Sequence, residues 1–308
     1  MLEELKKKFL ERDRVLHIIS KNGNFRAVIV RNSNTVKVAQ QFHNLNNISA
    51  FFLAKTMTSA TMISAFLKGE ERVVVEVTSD GVISKIYAEA LQVGECRGFV
   101  KLNSNLNNSN LNSNKIKITT LADFLGNGFF KISRILYNQA EPTVGIIPLQ
   151  KGDISMDLAY YFAQSEQINS AVILDVDFDK NNLISCSSGI LVQAMPGATV
   201  EEIETVENSI LNIKNLCSEI SLNSSLAEVL KNNLPFEFDI IKSIQVDFFC
   251  RCNLDNFKNR LLFLELAEII DMKEKGHNEL VCQYCNKNYN LSEKDFDEII
   301  GQLKARQN

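Results

Sequence analysis

Hydrophobic positions recur along this chain with two different periods, and the change of period divides it. Period-two runs come first: residues 27–30 (Ala-Val-Ile-Val) predict a strand, Asn32-Ser-Asn34 a turn, and residues 35–38 (Thr-Val-Lys-Val) a second strand. Residues 48–67 are almost continuously apolar and predict a long buried helix that stops at Lys68-Gly69. That stretch is about as long as a bilayer span. Lys55 and five Ser or Thr residues within 55–67 favour a tightly packed core helix over insertion. Strands follow at 72–77 and 82–87, joined by Ser79-Asp80-Gly81 as a hairpin turn, and at 96–100. Residues 103–114 are built almost wholly of Asn, Ser and Leu, which reads as a surface insertion. Strands resume at 115–118, 129–135 and 142–149, and a helix from Ile154 carries Leu158, Tyr161 and Phe162 on one face. A hairpin joins 171–176 to 183–186, and a further strand covers 189–194.

Beyond Pro196-Gly197 the period becomes helical. Thr199 with Glu202 makes a capping box ahead of Ile203, Val206, Ile210 and Ile213, and a second helix begins at Ser224-Ser225 with Leu226, Val229 and Leu230. Residues 234–249 are apolar without a clear period. Phe257, Leu261 and Leu264 then form a helical stripe, and Ser292 with Asp295 opens a last helix carrying Phe296, Ile299, Ile300 and Leu303. The expected class is α+β: an N-terminal mixed α/β core with antiparallel hairpins and a long buried helix, a helical linker, and a small C-terminal domain.

Composition narrows the class further. The 308 residues are 45% hydrophobic with a net charge of −4, typical of a soluble globular protein and unlike a general nucleic-acid binder. Residues 1–14 form a charged amphipathic segment, with Leu2, Leu5 and Phe9 at helical spacing. Lacking an apolar h-region, they are not expected to be a signal peptide. The chain is therefore expected in the reducing cytoplasm, where close cysteine pairs mean metal or redox chemistry rather than structural disulfides.

Four of the seven cysteines form two such pairs: Cys250 with Cys252, and Cys282 with Cys285, separated by the 29 residues 253–281. A tetrahedral zinc ion takes four thiolates at about 2.3 Å, so its sulfurs lie about 3.8 Å apart. Each pair can supply two of them if the spacer folds back. Cys96, Cys186 and Cys217 stand alone and are expected to be buried core thiols, and His277 a surface residue. With only three histidines, no His-Glu-x-x-His helix, no Gly-x-Ser-x-Gly elbow and no phosphate loop, hydrolytic or nucleotide chemistry finds no support. Three uses of a four-cysteine module stay open. Nucleic-acid binding is disfavoured, because residues 250–290 carry six basic and six acidic side chains. Thiol–disulfide exchange through Cys282-Gln-Tyr-Cys285 needs a strand-to-helix setting that the sequence does not offer. The third is a switch in which oxidation expels the metal.

Phe249-Cys-Arg-Cys252 and Val281-Cys-Gln-Tyr-Cys-Asn-Lys-Asn-Tyr289 closely resemble the zinc centre of the redox-regulated heat-shock chaperone family, the 33 kDa chaperonins. The likeness extends upstream through Lys68-Gly-Glu-Glu71, Arg97-Gly-Phe-Val100, Asp157-Leu-Ala-Tyr-Tyr-Phe162, Ser165-Glu-Gln167, Gly189-Ile-Leu-Val-Gln193 and Met195-Pro-Gly197. Two departures are Ser79-Asp80-Gly81, where the family more often has Gly-Asp-Gly, and the Asn-rich insertion. The resemblance implies a cytoplasmic holdase without catalytic turnover, divided into a core (1–195), a metastable helical linker (196–245) and a zinc-binding redox domain (246–308). It implies one zinc per chain on Cys250, Cys252, Cys282 and Cys285 in an inactive reduced state. Oxidation would pair Cys250 with Cys252 and Cys282 with Cys285, release zinc, unfold the C-terminal region and linker, and yield an active homodimer that holds unfolded or oxidised clients. With that pairing each disulfide closes three or four residues and stabilises by roughly 1.5–2 kcal/mol. A structural zinc contributes on the order of 10–16 kcal/mol, so two local bridges do not replace one long-range clip. Residues 234–249 and the helices before them are expected to be freed as the client-binding surface, the alternative being an ordinary linker packed on the core.

Overall fold

A computed structural model describes residues 12–104, 120–150, 152–222 and 225–307. The Asn-rich insertion beyond Ser104, the strand expected at 115–118 and the amphipathic start at 1–11 lie outside these residues. In chain order the elements are β1 (Arg14–Ser20), β2 (Phe25–Arg31), α1 (Ser33–Phe42), α2 (Asn47–Ser64), β3 (Arg72–Ser79), β4 (Ile83–Leu91) and β5 (Glu95–Leu102). There follow β6 (Gly128–Ile135), β7 (Thr143–Pro148), α3 (Ile154–Tyr161), β8 (Ser170–Phe178), β9 (Ile184–Ala194), α4 (Val200–Leu211), α5 (Leu216–Leu222), α6 (Leu226–Asn233), β10 (Phe238–Gln245) and β11 (Asp247–Phe248). The last elements are α7 (Leu254–Leu261), α8 (Leu266–Glu274), β12 (Glu279–Val281), β13 (Asn288–Asn290) and α9 (Glu293–Gln307).

Two compact units result, Met1–Phe249 and Cys250–Asn308. In the first, one sheet has the strand order β10-β1-β2-β9-β8 and another β11-β5-β4-β3-β6-β7. Helix α2 contacts strands of both. Its burial on all sides explains the membrane-like composition, and its polar residues explain how burial is tolerated. Thr56, Thr58, Ser59 and Thr61 each donate a hydroxyl hydrogen bond of 2.8 Å to the carbonyl four residues back. Lys55 reaches Asp153 at 3.3 Å and lies over the Phe51 ring. Among the described residues no helix is long and apolar enough to cross a membrane.

The central strands β2 and β9 of the five-stranded sheet are buried on both faces. Strict alternation sends Val28 and Val30 of β2 into the core around α2, and Ala27 and Ile29 into a second core with Leu16, Ile18, Ile190 and Val192. That second core is roofed by Val206 and Ile210 of α4, Leu216 and Ile220 of α5, and Leu226, Val229 and Leu230 of α6. The capping box of α4 forms as the sequence predicts, Glu202 N–H donating to Thr199 Oγ1 and Thr199 N–H to Glu202.

Several expectations need correction. Residues 35–38 are helical, within α1, because Val36, Ala39 and Gln40 form one buried face and the Asp13 carboxylate accepts from Thr35 N–H at 2.6 Å. The strand beside β2 is instead β1, and β1 pairs on its other edge with β10 inside the stretch without clear period. Residues 183–186 and 189–194 are one continuous strand, β9. Of the stripe through Phe257, Leu261 and Leu264, the first two lie on α7, and Leu264 falls exposed in the turn before α8. Cys186 and Cys217 are not separate thiols: they are joined by a disulfide, with Cα atoms 5.9 Å apart. Cys96 is the buried thiol expected of it, and burial pushes its pKa up to about 12.

Candidate metal centre

In the C-terminal unit β12 and β13 pair antiparallel, Glu279 with Asn290 through Val281 with Asn288. The turn between them presents Cys282 and Cys285. Asn286 follows with a positive φ of 54°, which turns the backbone so that Asn286 N–H donates to Cys282 O at 2.9 Å and Cys282 N–H to Lys287 O at 3.0 Å. Cys250 and Cys252 arrive on the extended segment before α7, whose cap is Asn253 accepting from Asn256 N–H at 2.7 Å. The hairpin and this segment bring all four sulfurs within 4.8 Å of one another. Cys250 Sγ lies 3.6 Å from Cys282 Sγ, and Cys252 Sγ 3.4 Å from Cys285 Sγ. These two separations fall a few tenths of an ångström short of the roughly 3.8 Å of a tetrahedral four-thiolate site, and soft sulfur donors suit zinc, so the residues present fit that ion.

The unit around them has a small core of its own: Leu262, Ile269, Leu291, Phe296, Ile299 and Leu303 are buried. Lys258 of α7 ties to α9 through Asp295 at 2.7 Å and Glu298 at 2.6 Å.

Electrostatics within the cluster are uneven. Burial pushes the Cys250 thiol up to about 11 and raises Cys285 further. Burial also opposes ionisation of Cys252, but hydrogen bonds from Tyr289 and the neighbouring thiols outweigh it and bring Cys252 down to about 7. The Tyr289 hydroxyl stands 3.2 Å from Cys252 Sγ and donates to Cys252 O at 2.9 Å. In the sequence Tyr289 stands out only as the end of the Val281–Tyr289 segment. The aromatic four residues beyond Cys285 is the signal that marks it, since β13 sets it against the cluster. His277 is exposed, as expected.

Comparison with known proteins agrees over nearly the whole chain. The family model described as Hsp33 protein matches residues 13–292. A 33 kDa chaperonin of Streptococcus thermophilus is 31% identical over 290 residues, spanning 94% of this chain and 99% of the relative. One from Desulforamulus reducens is 29% identical over 296 residues, 96% of this chain and 99% of the relative. The crystal structure of a 33 kDa chaperonin from Thermotoga maritima superposes with a TM-score of 0.81 at 27% identity, covering 96% of this chain and 100% of that one. This chain belongs to the Hsp33 family of heat-shock chaperones.

Proposed function

We propose that this protein is a redox-regulated cytoplasmic holdase, inactive with one zinc ion on Cys250, Cys252, Cys282 and Cys285 and active once those thiols are oxidised. The observation that carries this reading is the convergence of four sulfurs, from two segments some 30 residues apart, in a unit with few buried apolar residues. When bound, zinc supplies a long-range cross-link. Oxidation replaces it with local bonds. Two thiolates give two electrons to one peroxide molecule, which takes up two protons and leaves as two waters, and one S–S bond forms. Pairing Cys250 with Cys252 and Cys282 with Cys285 leaves the two segments unconnected, so the unit loses its clip.

The client surface in this reading is the second core of the N-terminal unit. Helices α4–α6 cover Leu16, Ile18, Ala27, Ile29, Ile190 and Val192, and β10 covers the edge of β1. If loss of the C-terminal fold releases residues 196–249, that apolar sheet face becomes available to unfolded or oxidised proteins and to a second copy of the chain. A thiol oxidoreductase is the alternative, and it is disfavoured because Cys282 and Cys285 occupy a hairpin turn rather than the start of a helix.

Limited proteolysis and disulfide mapping test the proposal together. After peroxide treatment, cleavage between 196 and 249 is expected to rise, and peptides linking Cys250 to Cys252 and Cys282 to Cys285 to appear. Cross-pairing between the two segments, or unchanged protection, would overturn it. Catalytic reduction of a model disulfide, without suppression of client aggregation, would favour the oxidoreductase.

A further inference from the structure

The Cys186–Cys217 disulfide plays no part in the metal centre, and its position gives it a different task. Cys186 lies half-buried on β9 and Cys217 is buried at the start of α5. Around them Cys217 N–H donates to Asp175 Oδ2 of β8 at 3.0 Å, and Ser188 Oγ stands 3.5 Å from Cys217 Sγ. The bond therefore joins the sheet directly to one of the helices that cover it. Helix α4 falls inside the loop that the bond closes, whereas α6 and β10 lie beyond it. The covering elements also divide by what they cover: α4 packs on β8, α5 on β8 and β9, α6 on β2, and β10 on β1.

We propose that Cys186 and Cys217 form a second redox site, a covalent lock that fastens α5 to β9 under oxidation and confines release to the chain beyond Cys217. The proposal rests on the reading of residues 196–249 as a releasable cover. With the lock closed, the β8–β9 half of the sheet face keeps its roof, and only the β1–β2 half, Leu16, Ile18, Phe25, Ala27 and Ile29, is uncovered. In the reduced cytoplasm the pair is a dithiol and the lock is open. Its chemistry balances with the same class of oxidant. The more accessible Cys186 thiolate attacks peroxide, giving a sulfenic acid and hydroxide. Cys217 then attacks that sulfur, forming the S–S bond and releasing its proton with the hydroxyl as water. Oxidation thus acts in opposite senses at the two sites, loosening the C-terminal unit and tightening α4 and α5.

Hydrogen exchange on the full-length protein, before and after peroxide, tests this against Cys217→Ser. Zinc release is followed in parallel with a chromophoric chelator. In the oxidised wild type, amides of α4 and α5 are expected to exchange on the order of a hundredfold more slowly than in the variant, as closing a loop of this length permits. Those of α6 and β10 should exchange alike in both, and the two reduced proteins should match throughout. Equal exchange of α4 and α5 in oxidised wild type and variant would overturn the lock, whether or not zinc is released. Absence of zinc release would instead count against the metal switch, and the α5 comparison would still decide the lock. Should Cys217→Ser fail to fold, Cys186→Ser at the half-buried position makes the same comparison.

Discussion

The N-terminal unit and the C-terminal unit are held together by different means. In Met1–Phe249 a sheet is buried on both faces, and α2 lies in the core without an exposed side. Hundreds of small contacts share the stability, so no single group controls it. Among the described residues of Cys250–Asn308 six apolar side chains form the buried core, and four sulfurs gather within 4.8 Å where the hairpin meets the segment before α7. Units shorter than about 70–80 residues rarely fold on apolar burial alone, and in the proposed function the staple here is a metal ion on four thiolates. In the proposed function the clip that holds the second unit is removed in one reaction, whereas in the first the Cys186–Cys217 bond is one link among many contacts.

Removing the metal should separate the two most sharply. Chelation, or Cys282→Ser, is expected to remove on the order of 10–16 kcal/mol of metal-linked folding energy from the C-terminal unit. Heteronuclear NMR should show its amides collapse and those of residues 196–249 loosen, while those of α2 and of β1 to β9 persist; retained dispersion in the C-terminal unit would break the contrast. Core truncations come next. Leu53→Ala in α2 and Phe296→Ala in α9 should each cost about 2–5 kcal/mol in denaturant unfolding. Only Phe296→Ala should also weaken metal binding, because Leu53 belongs to the other unit. Overfilling is a gentler probe. A Cβ on Gly189 would stand 2.7 Å from Thr58 Cγ2 and 2.9 Å from Leu174 Cδ2, so Gly189→Ala should destabilise the first unit by about 1–3 kcal/mol.

Tyr289→Phe removes the hydroxyl that faces Cys252, and should weaken zinc affinity by about tenfold, or about 1.4 kcal/mol, in a competition titration. The smallest effect concerns pH. His17 packs edge-on against Phe66, and burial, helped by Arg26 and Lys242, lowers its pKa to about 4. The unfolded chain, with an ordinary histidine pKa, binds the proton first as pH falls. Stability from this group is complete above about pH 6.5 and declines toward pH 4, by roughly 1 kcal/mol once solvent screening is allowed for. His17→Phe should flatten that part of the first unit's stability curve and leave the C-terminal unit's unchanged.

Legibility in the sequence followed the range of the interactions involved. The cluster of Cys250, Cys252, Cys282 and Cys285 is legible because each pair is close along the chain, and Asp80-Gly81 and the Thr199–Glu202 capping box because turns and caps are local. Residues 35–38 were misread because two valines and a threonine favour a strand, while burial of Val36, Ala39 and Gln40 against the core imposes a helix. β10 was missed since its identity comes from pairing with β1, more than 200 residues earlier. The Cys186–Cys217 pair was hidden for the same reason: 31 residues separate two cysteines that only the packing of α5 on β9 brings together.

In the proposed function the metal centre controls chaperone activity. Measuring zinc stoichiometry and suppression of client aggregation in one sample, before and after peroxide, tests it most directly. One zinc per chain with weak suppression is expected when reduced, then zinc loss accompanied by strong suppression when oxidised, both reversed by reductant and added zinc. Equal suppression in the zinc-bound and zinc-free states would contradict it.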